Sequence, residues 1–337
     1  MSQQSRSCPL CGSDRVSILA SVRAEVIVHS SQYYDEGAYE RLGVDKDSQF
    51  GISKCNECDF VFSAQVPSAE FLDKLYDGGS SLEESVAIFA RPARAAYAFK
   101  CLSLVLSEIA KRVAVDARGV SERRIRILDV GCAFGVGSLG LARKYYPYEV
   151  TGIEISSATR SYLADQGMQA YASLEDVPEG LCFDGIILND VLEHVADPLG
   201  LLQAIKRLSA EQAVLWINVP NFIDWRLEQI VSQISSGDMC VPKDMNPWEH
   251  LSYFSPRTLN LMMKRAGFYR AKPSVREYPV ICDSVFGMPR KVLRYARDLW
   301  VNYARSFDSG HVTSGIFVRI SGDPRDYAVR PNHIDSE

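Results

Sequence analysis

Nowhere in the 337 residues does an apolar run approach the roughly 18 residues that a membrane-spanning helix needs, and Met1 to Pro9 lacks the apolar centre of a secretion signal. The expectation is a cytoplasmic protein with no membrane contact. There is no internal repeat and no low-complexity run, which excludes solenoid and collagen-like architectures. Basic charge is in short supply too: 37 Lys and Arg face 42 Asp and Glu, a net charge of -5 and a pI near 5.7. No overall basic field therefore gathers polyanions. Charged residues at 23% and hydrophobic residues at 47% are ordinary for a folded chain, and the length leaves room for two domains.

The nine cysteines are not spaced as a disulfide framework. Four of them make two pairs, Cys8-Pro9-Leu10-Cys11 and Cys55-Asn56-Glu57-Cys58. Each Cys-x-x-Cys turn offers two thiolates, and together they complete a four-sulfur zinc site of the closed, structural type. A redox Cys-x-x-Cys comes singly on a thioredoxin-like βαβ pattern, which is missing. The 43 residues between the pairs exceed the common spacing of roughly 15–20, so an insertion around Tyr33, Tyr34 and Tyr39 is expected. Residues 1–60 carry six basic and nine acidic side chains, which opposes phosphate binding. The single cysteines Cys101, Cys132, Cys182, Cys240 and Cys282 read as small core residues.

The chain divides into a cysteine-bearing ribbon over 1–65, a helical linker over 66–120, a strand and helix alternation over 121–325, and a tail over 326–337. The alternation predicts strands at 125–130, 150–155, 183–188 and 213–219, with helices at 136–145, from the N-cap Ser156 to Gly167, and at 199–208. Strands alternating with helices imply an α/β fold with a parallel sheet covered on both faces. Ligands in such sheets sit beyond the carboxyl ends of the strands. The segment 222–249 is too long for an ordinary connection and is expected to be a lid inserted over the site.

After the first strand comes Asp129-Val130-Gly131-Cys132-Ala133-Phe134-Gly135-Val136-Gly137, small residues turning into a helix N-terminus. Backbone amides there can approach a ligand closely. Gly135, Gly137 and Gly140 spell a dinucleotide G-x-G-x-x-G, but they begin five residues after Val130 and run into the predicted helix, too late for that turn. Glu154, near the end of the second strand, can accept both hydroxyls of a ribose, as the acidic residue of a dinucleotide fold does. The third strand runs into Asn189-Asp190-Val191-Leu192-Glu193-His194-Val195-Ala196-Asp197-Pro198.

The turn from Asp129, with Ala133 in place of the middle glycine, resembles the first motif of class I S-adenosyl-L-methionine (SAM) methyltransferases. The run Asp190 to Pro198 is more specific. It resembles the corresponding segment of a group that includes ubiquinone-pathway O-methyltransferases and sugar and natural-product enzymes, and the likeness continues through Asn218-Val219-Pro220-Asn221 and His250-Leu251-Ser252-Tyr253-Phe254-Ser255. It implies a doubly wound, mostly parallel seven-stranded Rossmann-like sheet whose antiparallel last strand lies at 314–321. It also implies a SAM site made of Asp129, Gly131, Ala133, Gly135, Glu154, Ile155 and Asn189. The cysteine pairs, followed by Phe71 to Asp77, resemble the zinc-binding segment joined to many bacterial methyltransferases, sugar C-methyltransferases among them.

Methyl transfer from a sulfonium needs a positioned nucleophile and a group that takes its proton. His194 is one candidate base, with Asp190 four residues earlier able to fix its tautomer and Glu193 beside it as a brace. His250 is the rival, or else an anchor tying the lid to the sheet. Trp225 and Trp248 are candidates for stacking on an acceptor. Three functions stand at this point: a SAM-dependent methyltransferase for a small-molecule or sugar acceptor, an RNA methyltransferase guided by the ribbon, and a non-catalytic zinc-ribbon binding protein. The acidic ribbon and the absence of an Asn-Pro-Pro-aromatic signature disfavour nucleic acid. Oligomeric state is not legible.

Overall fold

The structure, a computed structural model, describes residues 6–31, 34–77, 105–106, 108–109, 112, 124–135, 148–222, 224–237, 242, 245–271, 308–309 and 312–319. The expected helix at 136–145, most of the expected linker and the tail lie outside these residues.

The second half of the chain is an α/β layer. Its strands are β4 (Ile125–Val130), β5 (Tyr148–Ile153), β6 (Gln169–Tyr171), β7 (Phe183–Asn189), β8 (Ser209–Pro220), β10 (Phe268–Arg270) and β12 (Val312–Arg319), in the spatial order β10-β12-β8-β7-β4-β5-β6. A two-residue strand, β11 (Asp308–Ser309), adds a hairpin to β12. Pairings β4 to β5, β4 to β7, β5 to β6 and β7 to β8 are parallel, while β12 runs antiparallel to both β8 and β10. The sheet is thus the mostly parallel, doubly wound one expected from the alternation. Six of the seven β7 residues are buried, as a central strand covered on both faces requires.

The helices obey their end signals. In α4 (Ser157–Asp165) the Ser156 side chain accepts from Thr159 N–H. In α5 (Pro198–Leu208) Asp197 accepts from Gly200 N–H at 2.8 Å, with proline in the first turn. In α7 (Pro256–Ala266) Ser255 and Thr258 form a capping box, and Gly267 closes the helix at φ 87°. Observed β5 begins and ends two residues before its expected span, because Tyr148 and Glu149 pair with Ile125 and Arg126 at the polar entry to the sheet.

The N-terminal part is a small antiparallel sheet of β1 (Val16–Arg23), β2 (Gln49–Cys55) and β3 (Val61–Ser63), extended on its edge by β9 (Ser252–Tyr253) from the second half. The insertion between the cysteine pairs supplies α1 (Ala24–Ser30) and α2 (Gly37–Leu42). The segment expected as a lid carries α6 (Asp224–Ser235), and its apolar side packs on that insertion. Phe222, Leu227, Ile230, Met245 and Trp248 share one core with Val22, Ile27, Leu42 and Phe50, joined by Phe71 from α3 (Ala69–Asp77). Trp248 is fully buried among the rings of Tyr34, Phe50 and Phe71, so it packs and offers no face to an acceptor, contrary to the sequence expectation. The Trp225 side chain lies outside the described residues. Cys132 is buried as expected, but Cys182 is exposed. Among the described residues, no helix is long and apolar enough to cross a membrane.

Candidate active site and cysteine cluster

The turn after β4 is built from left-handed backbone. Gly131, Ala133 and Gly135 have φ of 66°, 44° and 62°. Only glycine fits at 131, where a Cβ would come within 2.6 Å of Val191 Cγ2. Ala133 is a different matter. The methyl group would be cheap at negative φ, but the observed positive φ costs an L-residue about 1–2 kcal/mol, so the departure from glycine here is a strained one.

Glu154 holds this turn in place. Its carboxylate accepts from Ala133 N–H at 3.0 Å and from Ser156 N–H at 2.8 Å, so it links the turn to the start of α4. A carboxylate has about four lone-pair directions, and two remain for hydroxyl donors. Ile155, next in the chain, is 74% exposed and presents an apolar side chain beside the turn. At the end of β7 the Asn189 Oδ1 is buried with no hydrogen-bond partner. A left-handed turn of small residues, an anchored acid, an exposed apolar side chain and an unsatisfied amide oxygen fit the ribose, adenine and amino-acid parts of SAM. Asp129, on β4, completes the expected set.

Beyond β7 the chain reverses sharply. Asp190 takes φ 56°, and its carboxylate accepts from the Asn218 amide at 2.8 Å and the Asn189 amide at 3.3 Å. The expected tautomer-fixing role of Asp190 falls instead to the Glu249 carbonyl, 3.1 Å from His194 Nδ1. His194 and His250 come together edge to face, with ring centroids 4.6 Å apart, and Glu193 is buried beside them. The sequence offered these histidines as rivals; the fold makes them neighbours. Burial, and secondarily the proximity of His250, lowers the His194 pKa to about 3, so its imidazole is neutral at physiological pH. Burial also raises the Glu249 carboxyl to about 7, where it accepts from Tyr34 Oη and from Asn246 Nδ2. Glu249 was not singled out in the sequence, and only its place next to His250 could have flagged it.

The four paired cysteines converge at the base of the ribbon. Cys8 Sγ and Cys58 Sγ are 3.6 Å apart, Cys11 Sγ and Cys55 Sγ 3.5 Å, and all four sulfurs fall within 4.8 Å of one another. Zinc–sulfur bonds of about 2.3 Å in a tetrahedron separate sulfurs by about 3.8 Å, so the cluster has the size of a four-thiolate site. Glu57 N–H points at Cys55 Sγ, 3.4 Å away, as a donor to a thiolate would. Burial pushes the Cys8 thiol up to about 11 and raises that of Cys58, so these two need a cation's charge to ionise, whereas at Cys55 hydrogen bonds from the Glu57 and Cys58 amides outweigh burial and lower the thiol.

This cluster is not a detached module. Cys8, Leu10, Cys55, Phe60 and Phe62 share one core with Leu188, Leu192, Phe254 and Met262 of the α/β layer. Arg6 crosses between the two halves, its guanidinium over the Phe62 ring, donating to the carbonyls of Ser63, Ala196 and Leu251 at 3.1, 2.9 and 2.7 Å. Ala196 follows His194 by two residues and Leu251 follows His250 by one, so the ribbon braces both histidine-bearing segments.

A family described as a methyltransferase domain matches residues 101–271, just over half of the chain. The ubiquinone biosynthesis O-methyltransferase of Histophilus somni (strain 2336) is 30% identical over 158 residues, covering 41% of this chain and 65% of that protein. That of Hahella chejuensis (strain KCTC 2396) is 27% identical over 169 residues, covering 45% and 69%. The chain therefore spans about two thirds or less of the first relative's length. Among solved structures, the plantazolicin methyltransferase BpumL in complex with a pentazolic desmethylPZN analog and SAH is similar at 12% identity, over 74% of this chain and 94% of that one, with a TM-score of 0.47. With its family match spanning the strand-end turns just described, the chain belongs to the methyltransferase-domain family.

Proposed function

We propose that this protein is a SAM-dependent methyltransferase acting on a small-molecule acceptor, a sugar or sugar-bearing natural product being the finer reading, with a structural zinc ion held by Cys8, Cys11, Cys55 and Cys58. The observation that carries the activity is Glu154 bridging the left-handed Gly131 to Gly135 turn and the start of α4, with Ile155 exposed beside it. Asp129, Gly131, Ala133, Gly135, Glu154, Ile155 and Asn189 would hold the cofactor. Bound there, SAM supplies an electrophilic methyl group on a positively charged sulfur.

The chain's own task is to place the acceptor in line and to accept its proton. The Glu249 carbonyl fixes a proton on His194 Nδ1, which leaves Nε2 with a lone pair. His194 and His250 stand at the carboxyl end of the sheet, one turn beyond Asn189, where the acceptor's reacting atom must come. His194 Nε2, or a water held between His194 and His250, would take up the acceptor's proton as it is methylated.

Calorimetry with S-adenosylhomocysteine tests the assignment. Wild type should bind, and Glu154→Ala should weaken binding by tenfold or more, since a hydrogen bond to a charged group contributes about 1.5–3 kcal/mol. Binding of NADH in place of S-adenosylhomocysteine would move the site to dinucleotide chemistry.

A further inference from the structure

The insertion between the cysteine pairs sends one side chain to the support of the histidine pair. Tyr34 stands four residues past the end of α1, its ring edge-on to Trp248 with centroids 5.3 Å apart, and its hydroxyl donates to Glu249 Oε1. Asn246 Nδ2 donates to the same oxygen at 3.2 Å. Among the described residues these are the carboxylate's two donors, one from the insertion and one from the turn that carries Glu249.

That turn is closely wound. Asn246 Oδ1 accepts from Trp248 N–H at 3.1 Å, and the Asn246 carbonyl accepts from Glu249 N–H at 3.1 Å and from His250 N–H at 2.8 Å. The Glu249 carbonyl and the His250 N–H belong to one planar peptide unit, so the bond made by that N–H sets the direction in which the carbonyl points. It points at His194 Nδ1, 3.1 Å away. Phe50 and Phe71 also lie edge-on to Trp248, so a bare ring at position 34 would serve the packing. What the Tyr34 hydroxyl adds is a directional bond. Burial holds the Glu249 carboxyl at about 7, a sign that little water reaches it, and a hydrogen bond shielded from water counts for more than an exposed one.

We propose that Tyr34 is a positioning residue: through the Glu249 carboxyl it holds the 246–250 turn so that the Glu249 carbonyl keeps a proton on His194 Nδ1 and leaves the lone pair on Nε2. The use of that lone pair toward an acceptor rests on the methyltransferase reading; control of the tautomer does not. The long spacing between the cysteine pairs then has a purpose at the site, since the inserted residues carry the anchor of the turn that orients His194.

The test uses the full chain, isotope-labelled at the histidine nitrogens, at neutral pH and without SAM. Burial leaves the His194 imidazole neutral there. Two-bond proton–nitrogen spectra tell a protonated ring nitrogen from a bare one, and His194→Gln assigns the signal among the five histidines. Wild type should show Nδ1 protonated and Nε2 bare. Tyr34→Phe, which keeps the ring against Trp248, should lower the ratio of this tautomer to the other by about fivefold, the fold-change that one ordinary hydrogen bond supplies, while the melting temperature barely moves. Glu249→Gln, whose amide oxygen still accepts both bonds, should keep a ratio near that of wild type. An unchanged ratio in Tyr34→Phe overturns the inference, as does a wild type protonated on Nε2, or a Glu249→Gln spectrum as disturbed as that of Tyr34→Phe. Calorimetry with S-adenosylhomocysteine on the same wild-type samples keeps the two readings apart. Cofactor binding without the tautomer response sinks the positioning role alone; the tautomer response without cofactor binding sinks the methyltransferase reading alone.

Discussion

Strand β7 buries six consecutive residues in the middle of the parallel sheet, whereas β1 in the ribbon buries only Ala20 and Val22 of its eight, and the ribbon's knuckles put thiols where the sheet puts branched hydrocarbons. Each central strand buries enough apolar area to hold itself in place. The ribbon buries less, and its cohesion comes from a four-thiol cluster and from what it borrows across the boundary: the β3 to β9 pairing, the Phe60 ring 5.1 Å from Phe254, and Arg6. On the proposed zinc reading such a segment folds with its metal, and through the shared core the two histidine-bearing segments would depend on it too.

The hardest test of that dependence is to remove a ligand. Cys55→Ser should release the zinc, and because structural zinc binding contributes on the order of 10 kcal/mol to folding, the ribbon should lose its structure. The shared core carries the damage further, so the melting temperature of the α/β layer should fall too. Metal analysis with melts followed by two probes, one in each half, checks this. An unchanged transition in the α/β layer would mean that the shared core contributes little.

Next in size is the chemistry. His194→Ala should lower kcat by roughly a hundredfold or more while leaving S-adenosylhomocysteine affinity nearly unchanged, because its loss is felt in the transition state. His250→Ala, if that residue mainly holds the acceptor, should raise KM with a smaller change in kcat. The reverse pattern would make His250 the proton acceptor and His194 the scaffold.

How far the sequence could be read follows the same division. Strands β7 and β8 were legible because burial on both faces writes nearly continuous apolar runs, β4 because four of its six residues are apolar and buried, and α5 because an amphipathic stretch follows Pro198. The cysteine pairing was legible from spacing. The helices of the insertion were not, since neither α1 nor α2 is long enough to show a period, and a two-residue strand such as β9 writes no pattern at all. The site was half legible. Glu154 could be placed by its distance from the turn, but the meeting of His194 with His250, and the handover of tautomer control from Asp190 to the Glu249 carbonyl, depend on a chain reversal at Asp190 with φ 56° that no local propensity forecasts.

Arg6 tests the bridge itself. Arg6→Lys keeps the charge but cannot reach three carbonyls from one planar group. It should cost about 1–3 kcal/mol in stability and raise the acceptor KM severalfold, with zinc content and S-adenosylhomocysteine affinity preserved. A variant with unchanged acceptor kinetics would show that the ribbon supports the fold without reaching the site.

The smallest effect is expected at Ala133, on the other side of the comparison, where the sheet half departs from its own pattern. The left-handed φ of 44° costs alanine about 1–2 kcal/mol, which glycine would not bear. Glycine in turn gives the unfolded chain more freedom to lose, worth about 0.4–1 kcal/mol. The two terms oppose, so Ala133→Gly should change stability by about 0–1.6 kcal/mol, in the stabilising direction. Denaturant melts of the two proteins measure this. A clear destabilisation would mean that the methyl group makes contacts worth more than the strain it carries, and that alanine stands in the cofactor turn for packing.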